Sequence, residues 1–517
     1  MIPRPNFTDD EKSKMGEYLA KKIAFEEKRR ILLQELEEVE AKITEMQGGY
    51  GAIYNKRNPI LRLPVEVTCL IFIFAQLPTI DDSEDDASEE DEEDEEDDIL
   101  MEVVVSHVCR QWRSISLGFP KLWASFSYEA ETSVDAPLER FDTYVKRSAA
   151  FPLRILFDFQ SEGDDPDNVL LVEKAVEQAH RWQHFTMYAS DETVMHPLYL
   201  LHDVSAPMLE YFTVVSGIDF SDELDDLEND GRNVMTGLEP RIFKGGAPKL
   251  TYLMLDGHPM RHVLPPLSNI TILRIEKQGC DNVPVFERTP FLELLSLPSL
   301  CQLSLCGDLI EPFGSPRSIL MPSLKRFRVG EFDAIWELLP SIRAPQLDTL
   351  IIHMCQFTLA GATPTSPDGG YTFPALRKLY IIDASVEPSI APAFAHITSQ
   401  ATEVLISHGN LPSSIIQTIV NGRFTDTVWP RLKVLSCNIP EMETIDTYVS
   451  FSKNRPRTSF VFRLHPTLFE FWGDGLAALQ VVATVVLDEW ELDEPFWPLD
   501  TDHDFGKDDA FSIGDYF

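Results

Sequence analysis

The amino-acid sequence predicts an α+β chain: an N-terminal helix, a small helical module, and then an irregular α/β solenoid in which each repeat adds a strand to one parallel sheet. Three observations carry this. After Pro5 the first fifty residues contain no proline and are rich in Glu, Lys, Leu and Ala. Residues 58–127 hold short apolar-faced helical segments on either side of an acidic run. Between residues 150 and 487 a nine-residue motif recurs, mostly at intervals in the twenties, which marks a chain of stacked supersecondary units. At 517 residues the chain is too long for one compact core, and a repeat array accounts for most of that length.

The helix predicted over residues 1–49 opens on a capping box, Thr8 followed by Glu11. Positions Met15, Tyr18, Lys22, Phe25, Arg29, Leu32, Leu36, Val39, Ile43 and Met46 alternate in 3-4 spacing, a heptad seam that is apolar in its C-terminal half. Gly48-Gly49 is expected to end it. The seam reads either as a short coiled coil through which the chain self-associates or as the inner face of a helix lying on its own domain.

The next segment, ILRLPVEVTCLIFIFAQLP, places Pro64 at a helix start, where its missing N–H costs nothing, and Glu66 in the first turn, where a carboxylate suits the dipole. Val67, Leu70, Ile71 and Phe74 then mark one apolar face. After the acidic run, Val105, Val108, Cys109 and Trp112 recur at helical spacing, and Leu122-Trp123 follow a proline-marked turn. These helices carry more apolar surface than they can bury alone. Leu63, Pro64, Glu66, Val67, Ile71, Phe72, Val108, Cys109, Arg110, Trp112, Arg113, Pro120, Leu122 and Trp123 together resemble the F-box, whose pattern runs L-P-x-E, then I-F, V-C-R-x-W-R and P-x-L-W. The resemblance covers about 60 residues, with both halves in order. It implies that Leu63, Pro64, Val67, Ile71, Phe72, Val108, Cys109, Trp112, Leu122 and Trp123 dock on a Skp-type adaptor, which joins a cullin scaffold in an SCF-type ubiquitin ligase. One departure stands out: residues 79–98 form an acidic insertion between the halves, with 15 acids in positions 81–98. Such a run stays solvated, and lengthening a surface loop costs only about 0.6 kcal/mol per doubling. Ser83 and Ser88, each directly before acids, read as targets of an acidophilic kinase or as small residues in a low-complexity run. An F-box-like module that no longer engages a cullin complex, in a non-ligase interaction scaffold, is the competing reading.

The recurring motif, x-P-x-L-x-x-L-x-apolar, begins at Ala206, Ala247, Leu267, Leu297, Met321, Ala344, Phe373 and Trp429, with a weaker copy at Ser399 and a degenerate one at Ala179. The spacing is that of a leucine-rich-repeat array. Without the Asn ladder of regular repeats, it resembles the irregular arrays found behind F-boxes, especially in mushroom-forming fungi. The seventh and ninth residues of each copy, such as Leu303 and Leu305, should point into the core, and the sixth and eighth outward. Those outward positions place Arg274, Arg326, Arg328, Lys378 and Tyr380 on adjacent strands, with Lys325 and Arg377 beside them. The cluster reads as a site for an acidic or phosphorylated target protein, as solvated residues paired with Asp256 and Glu276, or as a berth for the chain's own acidic segments.

The net charge is −40, but 15 acids fall in residues 81–98, and residues 488–517 hold 11 acids against one Lys; the remainder carries about −15. A field of this sign disfavours nucleic acid and anionic membrane surfaces as partners. The acidic-aromatic tail, 488–517, reads as a flexible binding segment or as a cap in which Trp490 and Trp497 pack on the last repeat. The N-terminus lacks a secretory signal, no apolar run approaches a bilayer span, and seven scattered Cys fit reduced thiols, so a cytoplasmic or nuclear location is expected. No phosphate-binding, nucleophile-elbow or zinc-protease signature is present, and His180/His184 and His258/His262 each lack a third ligand. Neither catalysis nor a cofactor or metal is expected.

Overall fold

A computed structural model describes residues 8–55, 57–76, 100–129, 137–159, 166–189, 195–216, 234–276, 284–311, 318–332, 335–357, 372–382, 384–407, 415–421, 428–438, 445–453, 455, 460–464 and 475–487. The acidic insertion with Ser83 and Ser88, the acidic loop at 219–230 and the tail with Trp490 and Trp497 lie outside them. The chain forms two compact units: Met1–Ala75 with Val103–Ser116, and Gln76–Glu102 with Leu117–Phe517.

The first unit is helical. Helix α1 spans Asp9–Asn55. It opens on the expected capping box: the Thr8 backbone N–H and hydroxyl donate to Glu11 Oε2 at 2.8 and 2.9 Å, and the Glu11 N–H donates to Thr8 Oγ1 at 3.4 Å. The backbone bond from Thr8, then the hydroxyl bond, hold the Glu11 carboxyl below the usual carboxylate range. The expected stop at Gly48-Gly49 is overturned, since α1 continues through both to Asn55. Two glycines cost a helix about 1 kcal/mol each, which weakens it without breaking its hydrogen-bond ladder. Tyr50 and Tyr54 stack one turn apart beyond them, ring centroids 6.4 Å apart. A 3₁₀ turn, Pro59–Arg62, follows, with Asn58 Oδ1 accepting from the Ile60 N–H at 3.2 Å. Helix α2, Val65–Ala75, starts directly after Pro64, as expected. Helices α3, Met101–Val108, and α4, Arg110–Leu117, meet at Cys109, whose Sγ accepts from the Trp112 N–H at 3.4 Å and so caps α4.

The second unit is built on a parallel sheet of fourteen strands among the described residues. In chain order they are β1 (Ser125–Glu129), β2 (Leu153–Phe159), β3 (Trp182–Ala189), β4 (Tyr211–Ser216), β5 (Tyr252–Asp256), β6 (Ile272–Glu276) and β7 (Gln302–Cys306). There follow β8 (Arg326–Gly330), β9 (Thr349–His353), β10 (Lys378–Ile382), β11 (Glu403–Ser407), β12 (Val434–Asn438), β13 (Val461–Leu464) and β14 (Thr484–Leu487). Each strand pairs with the one before and the one after it in sequence, which requires a crossover between every pair. Helices such as α5 (Pro137–Arg147) and α6 (Pro166–Val176) and several 3₁₀ turns lie in those crossovers.

The motif explains the local structure. Its first four residues form a turn in which the N–H of residue four returns to the carbonyl of residue one: Leu209 to Ala206, Leu250 to Ala247, Leu300 to Leu297, Leu347 to Ala344, Leu376 to Phe373 and Leu432 to Trp429, at 3.1–3.3 Å. Proline in second place presets the turn's φ. The carbonyl of residue five then accepts two N–H groups from the next copy. Thr271 takes those of Cys301 and Gln302, Cys301 those of Lys325 and Arg326, and Lys325 those of Asp348 and Thr349. This backbone ladder ties neighbouring copies together without an asparagine. The weak copy is corrected by one residue: Ala401 N–H bonds Thr398 O, and Glu403 pairs with Lys378, so the unit starts at Thr398. The sheet also begins earlier than residue 150, at Ser125.

Positions seven and nine of each copy fill the core. Leu253, Leu273, Leu303, Phe327, Leu350 and Leu379 have no solvent-accessible surface, and neither do Leu255, Ile275, Leu305, Val329, Ile352 and Ile381. Aromatic rings fill the N-terminal part: Trp182 stacks on Phe185 at 4.2 Å, and Phe185 on Phe212 at 5.7 Å.

Candidate functional site

Two surfaces carry the residues singled out by sequence. In the helical unit, α2 turns one face outward. Val67, Leu70 and Phe74, at i, i+3 and i+7, are 40%, 56% and 66% exposed, Pro64 is exposed, and Leu63 and Ile71 are half-buried. On α3, Val108 is likewise exposed. The opposite face of α2 is internal: Thr68 and Phe72 are buried, and the Phe72 ring meets Trp112 edge-on at 5.1 Å. The motif's two halves are therefore joined through Phe72 and Trp112. Gln111 Nε2 also donates to Leu61 O at 3.0 Å. Cys109 and Trp112 are half-buried. Phe72, expected among the docking residues, is spent on holding the unit together.

Leu122 and Trp123, also expected there, are corrected in the same way. They belong to the sheet unit, in the turn that opens β1, and both are fully buried. Trp123 meets Tyr144 edge-on at 5.3 Å and lies 4.2 Å under the Arg147 guanidinium. Beside them a buried carboxylate, Glu102, accepts from the Tyr144 hydroxyl and from Gln76 Nε2 at 3.0 Å, while the same Gln76 amide donates to Leu122 O at 3.0 Å. Burial, and then the Glu102 charge, push the Tyr144 phenol far above its ordinary value. No pattern in the sequence pointed to Glu102 or Tyr144, because their bond closes over about 40 residues.

The second surface is the outward face of the sheet, where register stacks the eighth residues of the motif. Met254 pairs with Arg274, Arg274 with Ser304, Ser304 with Arg328, Arg328 with Ile351, and Ile351 with Tyr380. With neighbouring strands about 4.8 Å apart, Arg274 and Arg328 stand roughly 10 Å apart across Ser304. The predicted basic cluster is brought together, but it is not open. Arg274 is 8% and Arg328 2% exposed, so neither is the solvated contact expected of it. Of the remaining predicted residues, Arg326 is exposed and Lys378 and Tyr380 are half-buried; beside them Lys325 is exposed and Arg377 pairs with Asp348 at 3.2 Å. Asp256 is buried, and its Oδ2 accepts from the Ser216 N–H at 2.5 Å and hydroxyl at 2.9 Å.

An apolar cluster flanks the basic pair on each side, and neither was anticipated. Leu156, Tyr188, Val215 and Met254 form one, joined by Tyr252; Ile351, Ile382 and Leu405 form the other, joined by Tyr380. Met254, Ile351 and, in the corrected register, Leu405 are eighth residues of the motif, and Leu156 joins their column by pairing with Thr186. The outward face therefore runs apolar, basic, apolar across β2 to β11.

Among the described residues no group of three or more His, Cys, Asp or Glu side chains gathers to hold a metal, and no helix is long and apolar enough to cross a membrane. His184 lies against Tyr211 at 4.3 Å. No protein-family model matches the chain, and no curated protein matches it.

Proposed function

We propose that the chain is a substrate-recognition subunit of an SCF-type cullin ubiquitin ligase, with an F-box-like helical unit that docks on a Skp-type adaptor and an irregular leucine-rich-repeat solenoid that holds the target. The observation that carries this reading is the outward face of α2, where Val67, Leu70 and Phe74 stand in solvent on a helix entered through Leu63-Pro64. A small helical unit that leaves such a face uncovered is suited to a helical partner. The adaptor-facing set is then Leu63, Pro64, Val67, Leu70, Ile71, Phe74 and Val108. On the sheet, the accessible cations Lys325, Arg326 and Lys378 beside Tyr380 suit an acidic or phosphorylated target. The protein contributes proximity: it holds a target lysine near a charged conjugating enzyme and does no chemistry itself.

Recombinant Skp-type adaptor, co-purified with the full chain, tests this. Wild type retains the adaptor. Val67→Asp with Phe74→Asp loses it while the circular dichroism of the sheet is unchanged, since both side chains are exposed. A wild-type chain that brings down no adaptor sinks the ligase reading. Two observations then favour a scaffold that has left the ligase: the acidic run between the motif's halves, and Leu122-Trp123 committed to the sheet unit.

A further inference from the structure

We infer that α1 pairs with α1 of a second copy of this chain in an antiparallel coiled coil centred between positions 37 and 38. The first support is the length of the seam. Because α1 runs through Gly48-Gly49 to Asn55, the 3-4 alternation continues past Met46 to Tyr50 and Ile53. Leu32, Leu36, Val39, Ile43, Met46, Tyr50 and Ile53 are then seven consecutive apolar seam positions, about three heptads, and with Phe25 the seam reaches four. Each of these side chains is at least half exposed. None of the helix's glycines, Gly16, Gly48, Gly49 and Gly51, falls on the seam. A helix of this length has no internal way to cover such a stripe, and an identical stripe matches it in length and spacing.

Charge chooses the orientation. In a parallel, in-register pair, Lys22 would face Lys22 and Arg29 would face Arg29 across the seam, and Glu35 would flank Glu40 of the other copy. An antiparallel pair centred at 37–38 removes all three clashes. Leu36 lies opposite Val39 of the other copy, Leu32 opposite Ile43, and Phe25 opposite Tyr50; Arg29 meets Met46 and Lys22 meets Ile53, so that both long stems lie on apolar surface with their charges outward. Glu35 of each copy then flanks Lys42 of the other, an opposite-charge pair that occurs twice by symmetry. Sliding one heptad either way brings Lys28 beside Lys42 or Lys42 beside Lys42. The overlap from Lys22 to Ile53 is about 48 Å long.

Sedimentation equilibrium of the full chain tests the pairing, and it does so without reference to the adaptor, whose binding is read separately by co-purification. Wild type sediments as a dimer. Leu36→Asp with Val39→Asp sediments as a monomer whose sheet unit melts as in wild type. Glu35→Lys separates the two orientations, because it replaces an attraction by a repulsion in the antiparallel pair and removes a repulsion in the parallel one. Here it should raise the dimer dissociation constant about tenfold, and adding Lys42→Glu should restore it. A wild-type chain that stays monomeric at every concentration, or a Glu35→Lys variant that dimerises more tightly, overturns the inference.

Discussion

The two units treat apolar side chains in opposite ways. Leu36 on α1 is 52% exposed, whereas Leu303 on β7 is completely buried, and so are its counterparts on the strands either side. The sheet unit goes further and buries most of its outward column, down to Arg328 at 2%. The contrast follows from connectivity. A strand in a stack always has the next copy beside it, so inward residues meet across the core and outward residues meet across a spacing of about 4.8 Å. Isolated helices have no such neighbour. Their apolar stripes remain uncovered, whereas each strand of the sheet is flanked by the strands of adjoining copies.

The contrast can be tested by asking what each unit loses. Phe327→Ala, at a position without solvent exposure, should cost about 3–5 kcal/mol in urea unfolding of the sheet unit, whereas Leu36→Ala should leave that transition within about 0.5 kcal/mol of wild type. A small effect of Phe327→Ala would mean that the stack is not the cooperative core described. Next in size, Tyr144→Phe takes one of its partners from buried Glu102 and should cost about 1–3 kcal/mol. It should also alter alkaline stability. The folded-state pKa of Tyr144 is raised, so its contribution is complete below about pH 10, where the unfolded phenol titrates, and is lost as pH rises above that; Tyr144→Phe should flatten this decline in a pH series of melts.

Gains in the helical unit should come from local propensity. An added Cβ at Gly49 or Gly51 meets nothing within 4 Å, so Gly49→Ala and Gly51→Ala should each stabilise α1 by about 1 kcal/mol, read as a later loss of helical ellipticity on heating. The smallest effect is at the cap. Glu11 is held below its ordinary pKa, so the cap is intact at neutral pH and is lost as pH falls into the carboxylate range. Thr8→Ala should make the first turn fray at neutral pH as it does in acid, visible in amide hydrogen exchange confined to residues 9–12.

Much of this was legible in the residues. The Thr8–Glu11 box, the start of α2 after Pro64, and the alternation that buries Leu303 and Leu305 are local: each depends on side chains a few positions apart and on the fixed geometry of a turn, a helix or a strand. The errors share a different origin. Gly48-Gly49 read as a stop because propensity counts each glycine alone, while a long helix with ion pairs such as Glu17–Lys21 at 2.6 Å absorbs two. Leu122-Trp123 read as part of the docking face because they follow the helices in sequence, yet their turn is the first of the stacked units. The copy at Ser399 is one residue out because no proline marks its turn, and only pairing with Lys378 sets its register.

The sequence by itself determined the elements and their alternation: one long capped helix, short helices bearing more apolar surface than they can use, and strands whose seventh and ninth residues turn inward. These are set by the periods of 3.6 and 2 that the backbone imposes on any chain. Only the tertiary structure decided which side chains remain within reach. Phe72, Leu122, Trp123, Arg274 and Arg328 are withdrawn, and Val67, Phe74, Arg326 and the seam of α1 are left in solvent. Accessibility depends on what neighbouring elements bring alongside, and those neighbours lie tens of residues away in the chain.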